Sequence, residues 1–183
     1  MENIDYPALY REAGAASVSS QRSFLFAIKA HAALSILAAL LAVYAPVNRV
    51  SAILAAFFFL VLMGVSLWVL FGELEGSWYK ARAVAESVKT MTWRFIMRVE
   101  PFQDDDSAES LFRDRLRQSL EDSKEIQSAF SGEHSAGTQI TDAMRDLRRG
   151  PLETRKRVYL SGRIEDQQNW YKAKAARNNN MDK

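Results

Sequence analysis

The chain has 183 residues, 48% of them hydrophobic, with 24 basic and 22 acidic side chains for a formal net charge of +2. The absence of cysteine excludes a disulfide framework, a cysteine-based zinc site and a thiol nucleophile. The near balance of charge gives no electrostatic case for nucleic acid as a ligand.

A mean hydropathy of -0.19 describes an ordinary soluble domain, but the average hides a sharp division. Residues 24–71 hold 39 apolar residues out of 48 and two charges, Lys29 and Arg49, while the other 135 residues carry the remaining 44 charged side chains. Residues 1–23 read as a cytoplasmic N-terminal segment, 24–71 as a transmembrane helical hairpin and 72–160 as a cytoplasmic helical region. The fold class expected is all-α, a two-span hairpin followed by cytoplasmic amphipathic helices.

The first span, 24–45, is interrupted only by Lys29 and His31 within its first two turns. A lysine so near a helix end extends its ammonium to the headgroups and does not veto a span. Pro46-Val47-Asn48-Arg49 forms a short turn with a helix-stopping proline. The second span, 50–71, is 22 residues without a charge, roughly 33 Å of helix at 1.5 Å per residue, enough to cross a bilayer core of about 30 Å. Two spans joined so tightly are antiparallel, with both termini on one side. The turn has Arg49 alone, whereas Arg11, Arg22, Lys80, Arg82 and Lys89 flank the other ends. The positive-inside rule therefore places both termini in the cytoplasm. The soluble alternative, a buried core hairpin, needs more covering chain than 183 residues supply.

In the first span His31, Ser35, Ala38, Ala42 and Ala45 recur at helical spacing as one small face, polar at its cytoplasmic end. Such a face either packs helix on helix, against Ala52, Ala55, Ala56 and Gly64, or lines a pore.

After a break near Gly72 to Gly76, residues Trp78, Ala81, Ala85, Val88, Thr92, Phe95 and Val99 form a seam that ends before Pro101. Arg82, Glu86 and Lys89 are spaced for ion pairs along its edge. Asp104-Asp105-Asp106 begins the next helix, with Asp106 as N-cap and Glu109 closing a capping box. That helix runs to about Phe130 with an apolar edge of Ala108, Leu111, Phe112, Leu116, Leu120, Ile126 and Phe130. Residues 131–137 read as a polar loop holding His134. Arg145, Arg148, Arg149, Arg155, Lys156 and Arg157 cluster around the Gly150-Pro151 break, as a solvated face or as a contact for headgroups or a phosphate. No phosphate-binding glycine loop occurs, and no carboxylate lacks a simpler role, so no catalytic residue, cofactor or metal is assigned and the chain is read as a non-enzyme.

Trp78-Tyr79-Lys80-Ala81-Arg82-Ala83 recurs as Trp170-Tyr171-Lys172-Ala173-Lys174-Ala175. Residues 161–183 thus read as the start of a second, incomplete unit, the chain being the first half of a tandem protein, truncated or completed by another polypeptide.

The hairpin and the Trp78-to-Trp93 pattern, Trp-Tyr-x-x-Arg-Ala-x-Ala-Glu-Ser-x-Lys-x-x-x-Trp, followed by Arg94-Phe95 and Pro101-Phe102, resemble the bacterial SLATT domains. Arg163, Gln167, Trp170, Tyr171 and Ala173 are similar to the opening of a second SLATT type. The resemblance implies a two-transmembrane effector of conflict or phage-defence systems. Such an effector oligomerises and perforates or depolarises the membrane when a nucleotide second-messenger synthase or sensor triggers it. The partners implied are the lipid bilayer, further copies of the chain and that nucleotide-signalling protein. The motif residues Trp78, Tyr79, Arg82, Glu86, Lys89 and Trp93 read as packing and ion-pair groups near the membrane surface. The competing reading is a non-conducting membrane scaffold or signal-coupling module.

Overall fold

The computed structural model describes residues 4–72, 74–123 and 137–181, and every regular element among them is helical. Two compact units make up the chain, one of residues 13–83 and 123–130, the other of residues 1–12, 84–122 and 131–183.

The hairpin unit is built from α1 (Ala8–Tyr44) and α2 (Arg49–Phe71). α1 is 37 residues long and starts well before the apolar run, because residues 8–23 are rich in alanine and hold no proline. It stops at the turn before Pro46, where the Val47 and Asn48 amides donate to the Tyr44 carbonyl at 3.2 and 3.1 Å. Asn48 then caps α2: its side-chain oxygen accepts from the Val50 amide at 2.9 Å, and Ser51 Oγ donates to the Asn48 carbonyl at 2.7 Å. At the far end the Gly72 amide closes the helix on Trp68 O at 2.8 Å.

Burial along the hairpin is confined to narrow stripes. On α2 the buried residues are Ser51, Ala55 and Leu62, and Ile53, Phe57, Phe59, Leu60, Met63, Leu70 and Phe71 are each more than half exposed. Only 11% of the most apolar stretch of either long helix is buried. A core helix of a soluble protein would be covered on most sides; this surface is matched by hydrocarbon.

The second unit is assembled on the C-terminal part of α3 (Leu74–Met97). Ala85, Val88, Thr92 and Phe95 of the expected seam are all buried, joined by Val84 and Ile96, whereas Val99 lies beyond the helix end and is 45% exposed. α3 ends in a Schellman turn. The Val99 amide donates to Arg94 O and the Arg98 amide to Phe95 O, both at 3.2 Å, with Arg98 left-handed at φ 54°.

α4 (Ala108–Glu121) lays Ala108, Phe112 and Leu116 into this core, and Phe112 meets Phe95 and Phe102 with ring centroids 5.0 and 5.8 Å apart. Its expected start needs correction. The cap residue is Ser107, and the organising carboxylate is Asp104, which accepts from Ser107 Oγ at 2.6 Å and from the Asp106 amide at 3.2 Å. Those bonds hold the Asp104 carboxyl below its usual range. Glu109 does not close a capping box because Arg145 occupies it. α4 also ends earlier than expected; Ile126, Phe130 and His134 lie outside the described residues.

α5 (Asp142–Arg149) is capped by Thr141, whose hydroxyl accepts from the Met144 amide and donates to Asp5 O at 2.8 Å. The same segment satisfies the start of α1: Ala8 N donates to Thr138 O and Leu9 N to Gln139 Oε1, both at 3.3 Å. α6 (Leu152–Tyr159) follows the Gly150-Pro151 break, and a π segment (Leu160–Glu165) carries the chain into α7 (Asp166–Met181).

Candidate functional site

Within the hairpin, the face expected on α1 is the one that is covered. Ala38 is fully buried and His31, Ser35 and Ala42 are half-buried, while their neighbours Ile36, Leu40 and Val43 are 59–72% exposed. The stripe at 31, 35, 38, 42 and 45 steps by 4 and 3, and Ser51, Ala55, Phe58, Leu62, Val65 and Val69 do the same on α2. A seam of this period keeps one face turned to its neighbour along the helix. Of the expected packing partners, Ala55 is buried and Ala52 half-buried, but Ala56 and Gly64 are exposed.

The polar end of the seam is a hydrogen-bonded cluster. Ser35 Oγ donates back to His31 O at 2.8 Å, Ser66 Oγ to Leu62 O at 2.9 Å, and His31 Nδ1 lies 3.4 Å from Ser66 Oγ across the two helices. Hydroxyls that bond the carbonyl one turn back are satisfied without water, which suits them to lipid depth. His31 stands seven residues inside the first apolar run, roughly 10 Å of helix. Sequence reasoning passed over Ser66, although it is one of only two hydroxyl residues between Val50 and Phe71.

Below this cluster, Trp78 lies 6.5 Å from the Phe24 ring and 4.6 Å from Tyr79, both nearly parallel. Tyr79 is 57% exposed, so aromatic surface gathers where the apolar runs begin and end, as interfacial rings do.

The Trp78-to-Trp93 motif is divided between the two units. Trp78, Tyr79 and Arg82 belong to the hairpin unit, and Glu86, Lys89 and Trp93 to the other. There Glu86 meets Arg163 at 3.7 Å, and Trp93 is buried edge-on to Tyr159 at 5.2 Å.

The basic cluster around Gly150 is divided. Arg148 is buried, donating to Phe95 O and to Asp105, both at 2.5 Å, with its guanidinium 4.8 Å above the Phe95 ring. Arg155 donates to Met97 O at 2.9 Å and Arg98 to Arg148 O at 3.0 Å. Arg148 and Arg155 thereby neutralise the carbonyl end of α3, and Arg98 that of α5. Burial, with Arg98 and Arg148 alongside, holds the Arg155 pKa below its ordinary value. Arg145 bonds Glu109 at 2.9 Å and lowers that carboxyl. Arg149, Lys156 and Arg157 remain exposed.

The family model described as SMODS and SLOG-associating 2TM effector domain 3 matches residues 7–156. The chain belongs to the SLATT family. No curated protein and no solved structure matches it. The SLATT match covers the hairpin, α3, α4 and α5 and ends within α6, so the two lipid-facing helices are the two transmembrane segments of an effector domain. The protein is therefore a helical membrane protein of the two-transmembrane effector kind found in conflict systems.

Proposed function

We propose that this SLATT chain oligomerises through its hairpin and perforates or depolarises the inner membrane when a nucleotide second-messenger synthase or sensor triggers it. Both termini lie in the cytoplasm in this reading. The observation that carries it is the His31–Ser66 pair, with Ser35 beside it, inside spans that are predominantly apolar. Ionisable groups at such depth are costly and are kept where they face a bundle interior or water. His31, Ser35, Ala38 and Ala42 are proposed as the face that repacks, opening a polar path in the assembled state. Residues 161–183 are proposed as the start of a second SLATT-like unit.

The test is membrane potential in bacteria expressing the chain together with its signalling partner, followed with a voltage-sensitive dye. Depolarisation supports the effector reading, and Ser66→Ala or His31→Leu should then change its rate at least severalfold. A steady potential alongside a stable partner complex would instead favour the non-conducting scaffold.

A further inference from the structure

Two cavities adjoin one rib of α3, the turn carrying Thr90 and Arg94, and both are lined by these two residues. The larger, about 590 Å³, has Arg115 on its wall but also Glu86 and Glu100. The smaller, about 250 Å³, is lined by Trp93, Met97, Val99, Tyr159 and Arg163 besides the shared pair, with no carboxylate among its described lining residues. It therefore combines two guanidinium groups and a hydroxyl with an aromatic and thioether wall.

The wall is fixed by its surroundings. Trp93 is 3% exposed and Tyr159 stands perpendicular to it, with centroids 5.2 Å apart. Tyr159 leads directly into the π segment, and Gly162 within it closes on the indole so tightly that a Cβ there would lie 3.3 Å from Trp93 Cζ2. That close approach holds Tyr159 and Arg163 toward the cavity. π turns of this kind recur at functional sites. Arg163 is positioned by Glu86 at 3.7 Å, whereas Arg94 is exposed and has no carboxylate partner among the described residues. An unpaired guanidinium beside aromatic walls is suited to an acid carried on a flat ring: the fork takes the anion and the rings take the body.

We propose that this cavity binds a small aromatic acid, one or two fused rings bearing a carboxylate, sulfonate or phosphate, with Arg94 on the acidic group and Trp93, Met97 and Tyr159 against the ring. A volume of about 250 Å³ accommodates such a molecule. The proposal stands apart from the membrane-disrupting activity and holds whether or not the spans conduct.

The test uses the full chain in lipid nanodiscs and phenyl phosphate as probe, with inorganic phosphate and benzamide as the ringless and uncharged controls. Saturation-transfer NMR should detect phenyl phosphate but not benzamide at equal concentration, and inorganic phosphate at equal concentration should not reduce the phenyl phosphate signal. Arg94→Gln should weaken binding by roughly tenfold or more, the loss of a charge-assisted hydrogen bond, without changing the melting temperature. Arg94→Lys, which keeps the charge but not the fork, should fall between. Gly162→Ala, whose Cβ would crowd the Trp93 wall at 3.3 Å, should weaken binding with Arg94 intact. Arg115→Gln, on the other cavity, should leave affinity within about twofold. Absence of binding at millimolar probe, displacement of the probe by equimolar inorganic phosphate, or wild-type affinity in a folded Arg94→Gln variant would each overturn the proposal.

Discussion

Arg148 shows how one residue ties several parts of the second unit together. It is 6% exposed and reaches Phe95 O, Asp105 and the Phe95 ring at once, so removing it strands a buried carbonyl as well as an ion-pair partner. Arg148→Ala should destabilise this unit by about 3 kcal/mol in denaturant titration. Asp105→Asn should cost no more than about 1 kcal/mol, because Asp105 is 55% exposed and solvent screens it. Nothing in the sequence separates Arg148 from Arg149 or Arg157. Its burial depends on carbonyls at the end of α3, some fifty residues away, and spacing does not reveal them.

Tyr6 makes a prediction in pH. Burial pushes its hydroxyl from 10.0 to about 12. The unfolded chain then releases this proton more readily than the folded one. Stability from Tyr6 is present in full below pH 10 and is lost as pH rises through the folded value near 12. Thermal melts of the wild type should fall across that window, and Tyr6→Phe should flatten the fall. Glu109 acts in the opposite sense, its stability present at neutral pH and lost as acid titrates it below the ordinary carboxylate range.

At the scale of elements, the ends of helices were harder to read than their faces. The α3 seam was legible because Ala85, Val88, Thr92 and Phe95 repeat with the period of the helix that buries them. The start of α4 was not, since three adjacent aspartates offer three capping positions and only the folded turn selects Asp104. The left-handed Arg98 was equally hidden, because glycine is the residue usually found there. Its conformation gives a sharp ordering. Arg98→Ala keeps the backbone strain and loses the 3.1 Å Asp105 ion pair; Arg98→Gly loses the same pair but relieves the strain. Arg98→Gly should therefore be the more stable of the two by about 1 kcal/mol, measured by equilibrium unfolding. In the core that α3 shares with α4, Phe112→Ala should cost about 3–5 kcal/mol, the loss of a fully buried ring packed against Phe95 and Phe102.

At the scale of the molecule, the sequence average of -0.19 is the sum of two surfaces meant for different solvents. The hairpin was legible because 22 uncharged residues have few other uses, and the family followed from the Trp78-to-Trp93 pattern. What the pattern did not reveal is that its residues divide between two units, or that Ser66 completes the polar cluster begun by His31 and Ser35.

The hairpin's passage through the membrane is the claim on which the rest depends, and the absence of native cysteine makes it directly measurable. Val47→Cys places a thiol on the exposed turn between the spans, while Gln103→Cys and Gln168→Cys place one on exposed residues beyond them. With a membrane-impermeant maleimide on intact cells, the account predicts labelling at position 47 alone, and labelling at 103 and 168 only after the inner membrane is permeabilised. Protection at 47 with labelling at 103 or 168 would contradict it, as would recovery of the chain in the soluble fraction.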